Sequence, residues 1–401
     1  MKILQVNTVC GSGSVGRIAT DLYQVIEQSG NECMIAYGRG SAPADIKSIK
    51  VNSKIDFYNH VLFQFVTGAN GFASTKSTKK LIKEIEQFNP DIIHLHNVHG
   101  FYLNIELFFL YLKQKNKPVV WTLHDCWSFT GHCAYFDYVQ CDKWKTGCHH
   151  CEQYKSAYPY GLLHDNSLFN YKKKKELFNG VQNMTIVTPS YWLKDYVAQS
   201  FLKTYPVEVI YNGIDLQQFK PVKGELTKKY SFDSKHVILG VANMWEARKG
   251  LKYFIELSHL LSEEYQIILV GLNKKQMKEL PSNIVGITRT QNVNELAQLY
   301  SLSSVYVNAT LEDNFPTTNL EALSCNTPVI TFATGGSVES VDEECGMVVP
   351  KGDINLLKEA IELVCQHPEK YDKCIEKAKK YNKNDRFEEY MNLYRKVYED
   401  K

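Results

Sequence analysis

Trp245-Glu246-Ala247-Arg248-Lys249-Gly250 follows the apolar run Val237-Ile238-Leu239-Gly240-Val241-Ala242, and Glu312-Asp313-Asn314-Phe315-Pro316-Thr317-Thr318-Asn319-Leu320-Glu321 follows Val305-Tyr306-Val307-Asn308-Ala309-Thr310. Each pair reads as a strand that ends in polar residues and hands over to a helix. In open α/β sheets that edge is where ligands sit. The first turn brings together a guanidinium and an ammonium, a pair suited to a diphosphate. The second sets two carboxylates, Asp313 and Glu321, eight residues apart, with the N–H groups of a helix start between them. Diphosphate cations, hydroxyl-binding carboxylates and a helix N-terminus together predict a nucleotide-sugar site.

Outward from these turns the same rhythm fills the chain. Strand-like runs lie at 3–9, 33–37, 92–95, 119–123, 185–188, 209–211, 237–241, 267–270, 305–307, 329–332 and 347–349. Most are separated by polar–apolar segments of helical length, which predicts parallel sheets covered on both faces. At 401 residues the chain exceeds one core and suits two domains. The strand pattern restarts at Val207 after Pro206, so the expected division is 1–205 and 206–383, with a last helix over 384–401 that packs back on the first domain. No apolar run is long enough for a membrane span; the longest, 105–112, contains Glu106. The opening segment turns polar too soon for a signal peptide and reads as a strand, which places the protein in the cytoplasm. In that reducing setting eleven cysteines do not form a simple disulfide framework.

Several segments resemble retaining glycosyltransferases of family 4. Asp313-x7-Glu321 resembles that family's Glu-x7-Glu element, with Asp in place of the first Glu. Asn212-Gly213-Ile214-Asp215 with Phe219, Arg248-Lys249-Gly250, Leu296 to Tyr300 before Ser304-Val305-Tyr306-Val307, and Gly335-Gly336 with Glu339 resemble further family segments in the family's order. The resemblance implies an α/β, GT-B architecture, two Rossmann-like doubly wound domains facing across a cleft. It implies a UDP- or GDP-type donor and retention of anomeric configuration. Arg248 and Lys249 would offset charge on the departing diphosphate, Glu321 would hold ribose hydroxyls and Asp313 hydroxyls of the donor sugar. Asn314, Phe315, Pro316, Thr317 and Thr318 would line the donor. Asp313 is one carbon shorter than the family's Glu, a displacement of about 1.5 Å, which leaves the donor sugar open.

Gly11-Ser12-Gly13-Ser14-Val15-Gly16 is a literal G-x-G-x-x-G between a strand and a helix, the dinucleotide fingerprint. It makes an NADP-dependent oxidoreductase the chief rival. The next strand ends Ala36-Tyr37-Gly38-Arg39-Gly40, without the acid that would hold a ribose, although Arg39 suits an NADP phosphate. The resemblance gives Gly13, Ser14 and Gly16 another role, a loop whose backbone approaches the donor phosphate. Trp121-Thr122-Leu123-His124-Asp125 ends a strand at the same edge and resembles the family's T-x-H-D element, which implies that His124 faces the transferred sugar with Asp125 beside it. His94, His96 and His99 invite a metal reading by spacing, but read better as polar residues at a strand end. The resemblance implies no cofactor for the chemistry.

Cys133-x7-Cys141-x6-Cys148-x2-Cys151 suits a structural Zn²⁺ held by four thiolates. The segment 131–158 has few aliphatic residues, so a zinc clip or another cross-link would stabilise it. This pattern resembles a subgroup of bacterial transferases in capsule, colanic-acid and O-antigen assembly, which implies a glycan or polyprenyl-linked glycan acceptor. A zinc-stabilised, non-catalytic binding protein is a further rival. Nucleic acid is not the expected partner, because Cys133 to Cys151 holds only Lys143 and Lys145 against Asp137 and Asp142. Residues 1–205 carry 22 Lys+Arg against 16 Asp+Glu, a balance that attracts an anionic acceptor or the inner membrane surface. Within that half, Lys172-Lys173-Lys174-Lys175 reads as a solvated helix face, and Phe57, Tyr58, Phe63 and Phe65 read as core.

Overall fold

The computed structural model describes residues 1–224, 226 and 235–400. It divides into two compact units, Met1–Tyr211 with Arg386–Lys401, and Asn212–Asp385. In the first unit seven parallel strands are ordered β3-β2-β1-β4-β5-β6-β7. They are β1 (Lys2–Val9), β2 (Glu32–Arg39), β3 (Ser48–Lys50), β4 (Ile92–Leu95), β5 (Val119–Thr122), β6 (Met184–Thr188) and β7 (Val207–Val209). The second unit has six, ordered β10-β9-β8-β11-β12-β13: β8 (His236–Val241), β9 (Tyr265–Val270), β10 (Ile284–Ile287), β11 (Val305–Asn308), β12 (Val329–Phe332) and β13 (Gly346–Val349).

The division expected at residue 205 moves to 211, and the strand expected at 209–211 is Val207–Val209. That segment completes the first sheet, because Val207 pairs with Ile186 and Val209 with Thr188. Two strands were not expected. Ser48–Lys50 holds a single apolar residue, and Ile284–Ile287 is four residues long with a glycine in it.

Strand parity sorts the first core into two layers. Leu4, Ile93, Val119, Trp121 and Ile186 join one cluster, while Ile3, Ile92, Val120 and Val187 join the other. Helix α1 (Gly13–Gln28) covers the second face with Ile18, Leu22, Tyr23 and Ile26. The last helix returns to the same face; it begins at Lys383, and Phe387, Tyr390, Met391 and Tyr394 are buried there. Their i, i+3, i+4, i+7 spacing makes one apolar stripe. The parity that buries Ile3, Ile92 and Val120 also turns Gln5, His94 and Thr122 to this face. All three are buried, so each needs a hydrogen-bond partner inside the protein.

Two readings of the first unit are corrected. Helix α2 (Lys54–Thr67) turns His60 and Gln64 inward and leaves Phe57 and Phe65 half-buried; Tyr58 is 67% and Phe63 37% exposed, so these two are not core. The inward face is held by polar contacts to α3 (Thr75–Phe88) and its cap: His60 Nδ1 to Ser74 Oγ at 2.7 Å, and Ser77 Oγ donating to Asp56 at 3.0 Å. Lys174 is not solvated either. It is fully buried on its helix, Ser167–Phe178, lies over the Trp127 ring and donates to the carbonyls of Trp127 and Thr130 at 2.8 and 3.1 Å. Segment 131–158 is anchored by aromatic residues: Phe136 stacks on Trp144 at 4.8 Å, and Trp144 meets Phe129 at 5.3 Å.

Burial gives the first unit a pH dependence. It pushes His60 down to about 4 and His94 to about 3, and lowers His96 well below the usual imidazole value. The unfolded chain therefore binds protons near pH 6.5 that the folded chain refuses, and stability falls as pH drops. Each of these histidines contributes about 1.4 kcal/mol per pH unit below roughly pH 6. Urea unfolding measured between pH 6.5 and 5.5, above the range where most carboxylates titrate, should show this steep loss. A flat profile would mean the rings are not buried as described.

Candidate active site

In the second sheet the strand order reverses between β8 and β11, which are direct neighbours. The two turns that follow these strands meet there. After β8 a short helical turn, Ala247–Lys249, ends at Gly250 with φ +77, a left-handed conformation that favours glycine. A Cβ at Gly250 would lie 2.0 Å from the Ala309 carbonyl, so the turn is pressed against the end of β11. The Leu311 N–H donates to the Arg248 carbonyl at 2.7 Å and locks the two together.

Lys249 Nζ donates to Asp313 Oδ2 at 2.5 Å. Arg248 Nε donates to Glu246 at 3.0 Å and its Nη1 to the Glu312 carbonyl at 3.2 Å. Both cations are thus held in place by their own turn and its neighbour. The carboxylates expected to act together occupy different surroundings. Asp313 precedes the helix Thr317–Ser324 and accepts from the Asn314 N–H at 2.9 Å. Glu321 lies inside that helix, is buried, and accepts from the Tyr300 hydroxyl at 3.0 Å; burial first, and then the Glu321 charge, push the phenol pKa well up.

Pro316 caps the helix and Thr317 and Thr318 open it; no side chain caps this end among the described residues. Its first N–H groups are the donors a helix start offers to an anion. Asn314 and Phe315 form the turn, and Asn212 Nδ2 holds the Phe315 carbonyl at 3.0 Å. Gly335, with φ +54, backs the same turn; a Cβ there would lie 1.7 Å from the Asp313 carbonyl. Asn319, buried, ties the helix to Asn308 at the end of β11 and to Ser337 and Ser340, a network the sequence reading missed.

In the first sheet the reversal lies between β1 and β4. The glycine loop follows β1. Gly13 starts α1 with φ +66, and Gly16 packs so closely that a Cβ would meet Val9 at 3.0 Å and the Gly11 nitrogen at 3.3 Å. Ser14 lies in the first turn of α1 and is exposed. His96 and His99 follow β4, and His124 and Asp125 follow β5.

These imidazoles form a hydrogen-bonded layer. His96 Nδ1 lies 3.0 Å from His124 Nε2, and His96 Nε2 lies 2.9 Å from Gln5 Oε1. His94 bridges Thr122 Oγ1 at 2.8 Å and the Tyr394 hydroxyl at 2.6 Å, and Tyr390 meets Thr122 at 3.0 Å. Desolvation holds His124 near 4, so the ring is neutral at pH 7. Asp125 accepts from His99 Nε2 and from the Trp127 N–H, both at 2.9 Å; the charges and hydrogen bonds of these neighbours outweigh burial and hold its carboxyl below the usual range. His99 in turn reaches the Tyr158 hydroxyl at 3.0 Å, which joins the cysteine segment to this edge. Asp125 is therefore engaged as the partner of His99. Gln5 and Tyr158 are the residues sequence reasoning passed over; His96 and His99 it read only as polar residues at a strand end.

Cys133 is buried and Cys141, Cys148 and Cys151 are half-buried. Cys148 Sγ accepts from the Gly131 N–H at 3.1 Å, and burial pushes Cys148 to about 11 and Cys151 to about 12. Among the described residues no three His, Cys, Asp or Glu side chains are gathered as a metal site. No helix among them is long and apolar enough to cross a membrane.

Known proteins share this framework. Residues 15–218 match the model of "Glycosyltransferase Family 4" and residues 222–381 that of "Glycosyl transferases group 1". WcaC of Escherichia coli K12, described as a colanic acid biosynthesis glycosyl transferase, is 25% identical over 373 residues, 88% of each chain. The sucrose-phosphate synthase structure from Thermosynechococcus elongatus superimposes with a TM-score of 0.73 at 16% identity, covering 100% of both chains. Anabaena HepE in complex with UDP-glucose superimposes with a TM-score of 0.70 at 14% identity, covering 99% of this chain and 100% of its own. These structures share the GT-B fold, and the dehydrogenase and non-catalytic readings gain no support. With its N-terminal model spanning more than half the sequence, the chain belongs to glycosyltransferase family 4 and is a glycosyltransferase.

Proposed function

We propose that the chain moves a sugar from a nucleoside diphosphate sugar to a hydroxyl of a glycan or polyprenyl-linked glycan in bacterial surface polysaccharide synthesis, with retention. The observation that carries this reading is the Lys249–Asp313 contact, which joins a diphosphate-type cation to a hydroxyl-type acceptor at the sheet's reversal point. The bond from the sugar's anomeric carbon to the diphosphate breaks, and a bond to the acceptor oxygen forms on the same face. The departing phosphate oxygen takes the acceptor's proton. Arg248 and Lys249, already held by hydrogen bonds, offset the charge growing on the diphosphate without reorganising. The helix start at Thr317 and Thr318 holds the same phosphates, Glu321 the ribose and Asp313 the sugar hydroxyls. In the other unit Gly13, Ser14 and Gly16 offer backbone to a phosphate, and His124 meets the sugar. HepE is solved in complex with UDP-glucose, which favours a UDP donor.

Lys249→Ala and Arg248→Ala should each lower kcat by about 100-fold or more, with far-UV circular dichroism unchanged. Calorimetry should show heat with UDP or GDP and none with NADP. Near-normal turnover in both variants would remove the diphosphate assignment.

We also propose that Cys133, Cys141, Cys148 and Cys151 close around one structural Zn²⁺ outside the chemistry. Cys141 and Cys148 lie near enough to Cys151 to affect its ionisation, though the four thiols are not drawn together in the structure described above. Elemental analysis of protein purified without added metal should find about one zinc per chain, the closed four-ligand case. Its absence, with all eleven thiols titratable in the unfolded chain, would end the proposal.

A third proposal is peripheral contact with an anionic bilayer through the outer face of α2. Ile55 is 73% and Leu62 62% exposed, and Leu163, also exposed, bonds backbone to backbone with Phe65. Exposed Lys76, Lys79 and Lys80 lie on the adjoining α3. Apolar side chains framed by cations fit a charged lipid interface. The protein should co-sediment with vesicles containing phosphatidylglycerol, and Ile55→Asp/Leu62→Asp should not. Equal sedimentation of both proteins would overturn the assignment.

A further inference from the structure

Buried polar side chains at the first sheet's reversal point form a chain whose two ends have different chemistry. Gln5 Nε2 donates to the Ala19 carbonyl at 3.0 Å. A carbonyl only accepts, so this contact fixes which end of the amide is which. Gln5 Oε1 therefore faces His96 Nε2 at 2.9 Å, and because an amide oxygen only accepts, that nitrogen must carry the proton. A neutral imidazole has one donor and one acceptor, so His96 Nδ1 holds the lone pair. His124 Nε2, 3.0 Å away, must then donate.

We propose that Gln5 and His96 set the tautomer of His124, holding its proton on Nε2 and its lone pair on Nδ1. The inference rests on the reading that His124 meets the sugar. Its consequence is directional: Nδ1 accepts a hydrogen bond from a hydroxyl and offers no N–H to a phosphate oxygen. Gln5 and His96 are positioning residues, which act through His124.

The layer is arranged to keep His96 neutral. The ring is buried and packs, tilted, against His94 at a centroid distance of 4.1 Å. A second proton would face two imidazoles and an amide without a carboxylate among its hydrogen-bond partners. Trp121 Nε1 donates to the His96 carbonyl at 3.1 Å and fixes the backbone beneath the ring. Sequence position alone hides this chain, because Gln5 lies within β1 and His96 just after β4, 91 residues apart.

Long-range proton–nitrogen NMR on the full chain labelled with ¹⁵N-histidine reads the tautomer directly, with His124→Gln identifying the His124 signals. The wild type should show His124 in the Nε2–H form, and the Nδ1–H form would overturn the proposal without any variant. Gln5→Leu should mix the tautomers and Gln5→Glu, which keeps an acceptor toward His96, should restore one. In Gln5→Leu kcat should fall about 10-fold or more, the scale of a misdirected contact group, with donor KM little changed. An unmixed His124 signal in a folded Gln5→Leu protein would also overturn the relay. Mixing without loss of kcat would leave the relay intact and remove His124 from the sugar-binding reading.

Discussion

A parallel strand buried on both faces has no side left for chemistry except its carboxyl end. The inner strands of both sheets are of this kind, and nearly every residue of the proposed site lies within a few positions of one of those ends. The constraint follows from the connection rule: right-handed crossovers put helices on both faces. Polar groups on the strands themselves must then be satisfied inside the protein. Gln5, His94 and Thr122 show how. Parity turns them toward the face covered by the returning helix, and Tyr390 and Tyr394 on that helix meet Thr122 and His94. The last helix thus does more than bury an apolar stripe; it supplies hydroxyls to the layer behind His124.

The strands, their parallel order and the two turns of the second unit were legible because they rest on short-range pattern. An apolar run followed by Arg248-Lys249-Gly250 or by Asp313 to Glu321 names its own edge. What the turns do to each other was not legible. The contact of Lys249 with Asp313 spans 64 residues and depends on β8 and β11 being neighbours, a fact of strand order. The same holds for His96 and His124. The spacing of His94, His96 and His99 suggested ligands or polar residues at a strand end, whereas adjacency of β4 and β5 makes His96 the partner of His124. Short strands fail for the opposite reason: Ser48–Lys50 has too little pattern to detect.

Two errors in reading polarity have one physical origin. Helical spacing shows that residues share a face but not which way the face points. Ile55, Tyr58, Leu62 and Val66 repeat as a core helix does, yet the core side of α2 is claimed by His60 and Gln64. A lysine run likewise suggests water, yet Lys174 sits beneath its own helix with two carbonyls and a ring to receive its ammonium. His60 and Lys174 are costly groups placed where partners already exist: Ser74 for His60, Trp127 and Thr130 for Lys174. Burying such groups unpartnered costs several kcal/mol, so the partners decide the geometry, and they lie far off in sequence.

The two carboxylates of Asp313-x7-Glu321 show how one motif divides its labour. Glu321 is within the helix, buried, with one oxygen receiving the Tyr300 hydroxyl. That contact fixes the carboxylate without neutralising it, which suits a group that binds a constant part of many donors, such as a ribose. Asp313 stands outside the helix, shares a proton-rich contact with Lys249, and is one carbon shorter than the family's usual residue. The shorter arm keeps it close to its own turn, where Gly335 allows the backbone to press in from behind. A longer side chain would reach further toward a sugar but would bring Lys249 with it or leave it. The lysine therefore ties the position of Asp313 to its own, and on the proposed roles the two ends of a donor would be read by one ion pair instead of by two independent groups.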